Sequence, residues 1–291
     1  MSDTLASLRR KVNGAEQLGS VVRAMKAVAA SSIGQYEKAV DALGQYQHAV
    51  ELGLSLCLRG EQRVAAAPVA ARDRPTGTLI LGSDQGLVGR FNEVIGGFAL
   101  ETLRKLEGPK AVWVVGERVC GCLEEAGVAI TKRFAVPSSV TAITALVTEI
   151  QIEVEGYTAR ERNSEVYVFH NAPQAAARYE VASQRLLPFD AAWHKRLTDI
   201  PWPNAQLPEV LGSSATGSLT ALVHEQVFIS LYRACAESLA SENASRLEAM
   251  QRAEKNIESV SDDLRRSLNR LRQSSIDEEL FDVVAGFNAL A

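Results

Sequence analysis

The sequence predicts an α/β fold in which long N- and C-terminal helices form an antiparallel coiled coil and enclose a domain with a mostly parallel sheet. Two observations indicate this fold. Apolar residues recur at steps of three and four near both ends of the 291-residue chain, and strand-like runs alternate with helix-like runs between them. The expected divisions are an N-terminal coiled-coil helix at 1–67, an α/β domain at 75–208 and a C-terminal coiled-coil helix at 209–291.

The N-terminal helix is predicted from a proline-free stretch between Asp3 and about Ala67. Glycines inside it, such as Gly14 and Gly19, each cost about 1 kcal/mol relative to alanine. Its stability is therefore expected to come from packing against another helix. The apolar positions of its stripe are Leu5, Leu8, Val12, Ala15, Val22, Met25, Ala29, Tyr36, Val40, Leu43 and Val50.

The C-terminal helix is predicted from the proline-free tail after Pro208. A helix of roughly 70 residues would be on the order of 100 Å long, more than a compact domain needs. The N-terminal helix is the first partner we expect for it, in antiparallel pairing. The expected seam of the tail is Leu247, Met250, Ala253, Ile257, Val260, Leu264, Leu268, Leu271 and Ser275.

The middle of the chain changes from helical periodicity to short apolar runs. Strands alternating with helices are typical of a Rossmann-like domain, in which a mostly parallel sheet is covered on both faces. We expect strands at 78–81, 110–116, 128–134, 165–170 and 180–187, with helices at 91–106, 117–126 and 140–156 between the first four.

Composition and charge exclude several classes of function. The formal net charge of -4 gives no general attraction to nucleic acid or to an acidic membrane surface. The sequence has no run of eighteen apolar residues, and Met1–Thr4 leads into an amphipathic pattern rather than a secretory leader, so membrane contact is expected only through partners. The close pair Cys120 and Cys122 suggests either a redox sensor or, more simply, small residues of a helix that faces the sheet.

No pattern for a catalytic, cofactor or metal site stands out. The turn from Gly82 to Gly89 follows a strand and precedes a helix, where a phosphate-binding loop would lie. It lacks both common phosphate-loop spacings, no lysine follows it, and Asp84 would repel an anion. A structural turn is favoured over a nucleotide site. The four histidines are scattered, without metal-ligand spacing.

Charges on the tail form two consecutive bands. The basic band would lie beside Arg9, Arg10 and Lys11 in an antiparallel pair. It is either a solvated helix face or a collar that faces an acidic partner. The basic residues are Arg265, Arg266, Arg270 and Arg272, and the acidic residues are Asp277, Glu278, Glu279 and Asp282.

Four segments resemble motifs of the gamma subunit of F-type ATP synthases. Residues 24–31 (AMKAVAAS) resemble the AMxMVAAS signature of that family's first helix, and residues 83–92 (SDQGLVGRFN) resemble its TDRGLCGGLN turn. Residues 240–250 (ASENASRLEAM) are similar to ASEQAARMVAM, and residues 269–280 (NRLRQSSIDEEL) resemble NKARQASITQEL. Val88 replaces the cysteine of the turn, and Asp277 replaces the threonine of the last motif. These departures suggest a divergent branch of the family, in which sodium rather than protons could be the transported ion.

The resemblance implies a mechanical role rather than catalysis. The chain would be the central-stalk rotor, without a catalytic site or cofactor of its own, on the cytoplasmic face of the inner (plasma) membrane. Its implied partners are three alpha and three beta subunits, the epsilon subunit and the ring of c subunits, with no nucleic acid. A cytosolic coiled-coil scaffold and a dinucleotide-binding α/β protein are the alternatives. The implied coupling contacts to alpha and beta subunits are Met25, Lys26, Arg246, Asn269, Arg272, Gln273 and Glu279. Antiparallel pairing of the two helices is expected to place Met25 and Arg246 at about one height.

Overall fold

The computed structural model describes residues 4–60, 74–161, 163–174, 178–204, 206 and 215–290. The predicted domain limits at 67, 208 and 209 lie outside these residues. The helices are α1 (Leu5–Gly60), α2 (Phe91–Lys105), α3 (Glu117–Glu125), α4 (Val140–Arg160), α5 (Ala191–Thr198) and α6 (Ala215–Leu290). The strands are β1 (Thr76–Leu81), β2 (Lys110–Val115), β3 (Lys132–Phe134), β4 (Glu165–Gln174) and β5 (Arg178–Leu187).

The chain divides into two compact units. The first unit combines residues 1–30 with 246–291, and the second consists of residues 31–245. Helices α1 and α6 therefore each contribute to both units, and the second unit contains the whole sheet. Long helices at both ends and a mostly parallel sheet between them confirm the fold class that the periodicity predicts.

The sheet of the second unit has the strand order β3-β2-β1-β4-β5. Neighbouring strands are parallel from β3 to β4, and only β5 runs antiparallel, as the hairpin partner of β4. Strand β1 is buried along its whole length. Central parallel strands are covered on both faces, which explains why they appear in the sequence as continuous apolar runs.

Two apolar layers cover the sheet. One face carries α2 and α3, whose buried residues Ile95 and Leu123 pack with Ile80 of β1. The other face carries α4 and the part of α6 that belongs to this unit, with Ile150 and Leu231 packed against the sheet. Helix α6 therefore contributes directly to the core of the second unit.

The third strand is shorter than the sequence suggests. The run from Val128 to Phe134 predicts a strand, but only Lys132–Phe134 forms one. Gly127 has a φ of +81°, and Val128 donates a backbone hydrogen bond to Leu123. This glycine ends α3 in the manner of a C-terminal helix cap, so the next residues form the connection instead of the strand. Helix α5, which the sequence did not predict, begins at Ala191 and is capped by Asp190, whose side chain accepts the N–H of Trp193.

Gly116 fills a narrow position at the carboxyl edge of the sheet. It lies between β2 and α3 with a φ of +105°, a conformation that residues with a side chain rarely adopt. A β-carbon added there would lie 2.7 Å from the backbone nitrogen of Ser83. The three nearest atoms all belong to the backbone of Gly82 and Ser83, so no flexible side chain could move away to make room.

Gly116→Ala is expected to lower the free energy of unfolding by about 3 kcal/mol, because it adds both backbone strain and a clash with backbone atoms. Gly121→Ala in α3 is the matched control. A β-carbon there meets nothing within 4 Å, so this variant should be more stable by about 0.5–1 kcal/mol. Urea unfolding followed by tryptophan fluorescence measures both changes, and equal stability of the two variants would contradict this account of the turn.

Candidate functional site

The turn after β1 is closed by the chain's own side chains. The Asp84 carboxylate accepts the backbone N–H of Glu117 at 3.1 Å and that of Val136 at 3.1 Å. Glu117 is the first residue of α3, so Asp84 occupies the helix N-terminus that a phosphate would need. If this turn bound a nucleotide, the phosphate would have to take the place that the Asp84 carboxylate already occupies.

A second set of hydrogen bonds locks the same turn from the other side. Asn92 of α2 accepts the Ser83 N–H at 3.0 Å and donates to the Ser83 hydroxyl at 2.8 Å. Ser83 in turn donates to the carbonyl of Gln85 at 2.9 Å. With its polar groups paired internally, the turn joins β1, α2 and α3, which favours the structural interpretation.

Other candidate chemistry finds little support. Cys120 is buried beneath α3, and burial raises the pKa of its thiol, which disfavours the reactive thiolate. A search of the described residues for three or more His, Cys, Asp or Glu side chains that could hold a metal finds none. No helix among those residues is long and apolar enough to cross a membrane.

The first unit is an antiparallel pair formed by the beginning of α1 and the end of α6. The buried residues that α1 contributes to this unit are Leu8, Val12, Ala15, Gly19, Val22 and Ala29, at steps of four, three, four, three and seven. This spacing is the seam of two helices that pack side by side, as the sequence predicts. On α6, Met250 is 2% exposed and Ile257 is half-buried.

One predicted seam position on α6 is wrong. Val260 is 53% exposed, whereas its neighbour Ser261 is buried. The steps from Ile257 to Ser261 to Leu264 are four and three, so the serine continues the seam. Apolarity alone selects the valine, but the helical phase set by Ile257 and Leu264 places the serine on the buried face.

Two ion pairs fix the register of the pair. Lys26 contacts Glu254, and Arg265 contacts Glu16 at 2.6 Å. Glu16 and Lys26 are ten residues apart on α1, and their partners Arg265 and Glu254 are eleven residues apart on α6 in the opposite direction. The same register places the basic band of α6 level with the start of α1, where Arg9 and Arg10 are exposed.

This register corrects the expectation that Met25 and Arg246 lie at one height. Met25 is level with Glu254, whose carboxylate contacts the next residue, Lys26. Arg246 lies eight residues before Glu254, or roughly 12 Å along the helix axis. The sequence indicates which faces pair but not the offset between the helices, because a shift by one heptad keeps every apolar residue on the seam.

The structure places the seven predicted coupling residues in three groups. Met25, Lys26 and Arg246 are half-buried, and the first two lie beside each other on α1. Asn269, Arg272 and Gln273 lie within about one turn of α6 and are all exposed. Glu279 lies further along α6 and is also exposed.

A second apolar stripe on α1 escaped the sequence reasoning. Leu18 is 60% exposed, Val21 is 56% exposed and Val28 is 65% exposed. Together with half-buried Met25, which lies between Val21 and Val28, these residues are spaced by three, four and three positions. They form a second apolar stripe next to the buried one. The pattern is visible in the sequence once the buried seam is known, because it repeats the same spacing one position earlier.

The end of α6 is apolar and exposed. In the register of the ion pairs, Leu5, the first residue of α1, is level with Ile276. The part of α6 after that point has no residue of α1 beside it. Leu280, Phe281, Val283 and Val284 are between 49% and 72% exposed there. Exposed apolar side chains in such a group are typical of a surface that binds another protein.

The sequence model of the family described as ATP synthase matches residues 4–290. The chain belongs to the ATP synthase gamma chain family. It is 28% identical to the ATP synthase gamma chain of Frankia casuarinae, with 100% of this chain and 99% of that protein covered. It is 26% identical to the ATP synthase gamma chain of Moorella thermoacetica, with 98% and 99% covered.

Solved structures share the fold of this gamma chain family member. A chain of the Tetrahymena thermophila mitochondrial ATP synthase central stalk and c-ring superposes with a TM-score of 0.57 at 22% identity, over 80% of this chain and 99% of that one. A chain of the Euglena gracilis mitochondrial ATP synthase rotor superposes with a TM-score of 0.60 at 14% identity, over 94% and 98%. At these identities the likeness is one of fold.

The two ion pairs that join α1 to α6 in the first unit should differ in strength. The side chains of Lys26 and Glu254 are 35% and 16% exposed, against 54% and 49% for Arg265 and Glu16. Lys26→Glu is expected to lower the free energy of unfolding by about 1–2 kcal/mol, and adding Glu254→Lys should restore most of that loss. The corresponding exchange of Glu16 and Arg265 should change it much less, because water screens the more exposed pair.

Thermal unfolding followed by far-ultraviolet circular dichroism, with both double-mutant cycles measured in the same buffer, checks this difference. A larger coupling energy for Glu16 and Arg265, or no rescue by Glu254→Lys, would show that the register differs from the one described.

Proposed function

We propose that this chain is the central-stalk rotor subunit of an F-type ATP synthase, coupling ion flow through a membrane ring to ATP synthesis or hydrolysis in an alpha/beta catalytic head. The observation that carries the proposal is the family match along residues 4–290, together with a helix pair whose outer surface carries exposed apolar side chains. The chain itself has no catalytic site and needs no cofactor. Its role is mechanical.

A rotor without a ligand acts by making different contacts with different states of its partners. Only contacts that differ between the open, loose and tight states of a beta subunit can shift their populations. The first unit offers such differences, because Leu18, Val21 and Val28 form an apolar stripe on one side while charged residues such as Arg266 lie elsewhere on its surface. As the unit turns, each beta subunit meets a different side.

The exposed end of α6 fits an apolar collar made by the alpha and beta subunits. Successive helix residues are about 100° apart, so Leu280, Phe281, Val283 and Val284 point in several directions. A ring of subunits can surround such a helix end, whereas a single flat partner would cover only part of it. Apolar contacts have no preferred direction, so they allow rotation while keeping water out.

The seven coupling residues retain separate proposed roles. Arg272, Gln273 and Asn269 are exposed donors that can bind carboxylates or amides of the head, and Arg246 adds a guanidinium earlier in α6. Glu279 and Met25 complete the contacts near the two apolar surfaces. The ion pair of Lys26 with Glu254 favours a role in holding the helix register that presents the other groups.

The proposed partners are three alpha and three beta subunits for the first unit, and the epsilon subunit and the c-ring for the second. The protein is a peripheral subunit, and the cytoplasmic face of the plasma membrane is its proposed location. The transported ion, proton or sodium, is a property of the ring and is not defined by this chain. The dinucleotide-binding alternative is disfavoured because Asp84 occupies the anion position of the turn. No specific observation favours the coiled-coil scaffold.

Reconstitution with alpha and beta subunits of the same complex tests the proposal. One copy of this chain is expected to enter each hexamer and to raise ATP turnover above that of alpha and beta subunits alone. Native mass spectrometry gives the stoichiometry, and an ATPase assay gives the turnover. Self-association into dimers that ignore the alpha and beta subunits would favour the scaffold alternative and defeat the rotor assignment.

Arg272→Glu is expected to lower ATP turnover of the reconstituted complex by about tenfold, because a contact of roughly 1–3 kcal/mol with acidic groups becomes repulsive. Arg272→Lys keeps the charge and should lose only a small part of the activity. Arg160→Glu in α4, a site 68% exposed in the second unit, makes the same charge change as a control and should leave turnover unchanged. Equal losses for the Glu and Lys variants would remove electrostatic contact from the role of Arg272.

A further inference from the structure

A cavity of about 470 Å³ lies within the second unit, where β5 and α5 meet the parts of α1 and α6 that belong to that unit. Its volume falls in the usual range for small-molecule sites. None of its residues is among the seven coupling residues or within the four family motifs. The rotor function therefore leaves the cavity without a role.

Three arginines line the cavity. Arg185 lies 3.3 Å from Asp190, and Arg196 lies 3.7 Å from Glu51. Arg233 differs from both, because it donates to the side-chain oxygen of Gln47 at 2.6 Å and contacts no carboxylate among the described residues. A half-buried guanidinium with a neutral partner attracts an anion, and phosphate or carboxylate suits its planar set of donors.

A buried amide points to the same cavity. Gln226 is 5% exposed and lines the wall, and its side-chain oxygen has no hydrogen-bond partner within the described part of the chain. Buried polar atoms are normally paired, so an orphan beside a cavity calls for an explanation. A ligand hydroxyl or amine would supply the missing donor.

An aromatic wall completes the cavity. The rings of Phe189 and Trp193 are stacked, with centroids 3.8 Å apart and an angle of 11° between their planes. Both rings line the cavity, and Ile229 is fully buried behind it. Aromatic walls of this kind favour flat or apolar groups of a ligand.

We propose that this cavity binds a small organic anion. Its phosphate or carboxylate group is held by Arg233 with Gln47, a hydroxyl or amine pairs with Gln226, and a flat apolar body lies beside Trp193. A concave site of this size, formed by helices and a strand rather than by a flat surface, favours a small molecule over a segment of a partner protein. The proposal rests on the cavity alone and is independent of the rotor function.

Titration of the full chain with defined probes tests the proposal. Adenosine monophosphate and phenyl phosphate carry both an anion and a ring, while adenosine and inorganic phosphate each lack one of them. At least one of the first two should bind one-to-one by calorimetry, with a Kd below about 1 mM, and should change the fluorescence of Trp193. Adenosine and inorganic phosphate should each bind at least about tenfold more weakly, because each makes only part of the contacts.

Two variants assign the binding to this cavity. Arg233→Gln should weaken binding by about ten- to hundredfold, the usual effect of losing a hydrogen bond to a charged group. Gln226→Leu should weaken the binding of adenosine monophosphate by a similar or smaller factor while leaving the Tm unchanged or higher, since it removes an unsatisfied amide. This opposite effect on binding and stability separates a ligand contact from a structural role. Arg160→Gln, remote from the cavity in sequence and on α4, is the charge-matched control.

Several results would overturn the proposal. One is the absence of saturable binding of both adenosine monophosphate and phenyl phosphate up to roughly 10 mM. A second is adenosine binding as tightly as adenosine monophosphate. A third is a loss of binding in Arg160→Gln as large as that in Arg233→Gln. If the cavity variants bind the probes normally but fail to bind the epsilon subunit or c-ring, the cavity is a protein contact and not a small-anion site. That last result would leave the rotor assignment intact.

Discussion

The packing of two helix seams against each other is the constraint on which the first unit depends. Helices α1 and α6 include glycines, serines and many charged residues, so neither is held by intrinsic propensity alone. Leu8, Val12 and Ala29 are buried because a second helix covers them. The steps of three and four recur in both helices, and each helix requires the other to bury its apolar face. Ion pairs at Lys26 and Glu16 then select one register among those that the seams permit.

The second unit is organised by a different constraint, the closure of its sheet edge. Parallel strands leave a crevice where their carboxyl ends meet, the place where α/β proteins commonly bind ligands. Here Asp84 reaches across that crevice to backbone groups that follow β2 and β3, and Asn92 holds the preceding residue. The same geometry that could cradle a phosphate is used to hold three strands and two helices together. A fold that is familiar from enzymes here uses its crevice for internal hydrogen bonds.

Sequence periodicity predicts the helices, strands and buried faces well where a pattern of apolar residues is compatible with only one structure. The buried face of α1 and the buried strands β1 and β2 are of that kind, because rotating the helix or moving a strand out of the sheet would expose a row of apolar residues. The failures have local physical causes. Val260 lost its seam position to Ser261 because the steps of four and three from Ile257 to Leu264 pass through the serine. The offset of Met25 from Arg246 depends on ion pairs between residues more than two hundred positions apart. Helix α5 depends on a single cap at Asp190, a signal too short for periodicity to detect.

Of the two exposed apolar surfaces, the stripe on α1 lies beside the seam that holds the helix pair together, and the end of α6 lies beyond it. The stripe of Leu18, Val21 and Val28 lies on a helix that is already buried along its other face, so its position is fixed by the pairing. Phe281 and its neighbours lie past the paired region, where α6 has no support from α1, and burial of that end therefore requires a partner. A rotor needs both kinds of surface. A stripe at a fixed position makes contacts that depend on the rotation angle of the helix pair. An apolar end of α6 that partners enclose from all sides keeps the rotation axis centred. Small side chains along the seam keep the pair thin, and the exposed residues outside it determine what each partner encounters.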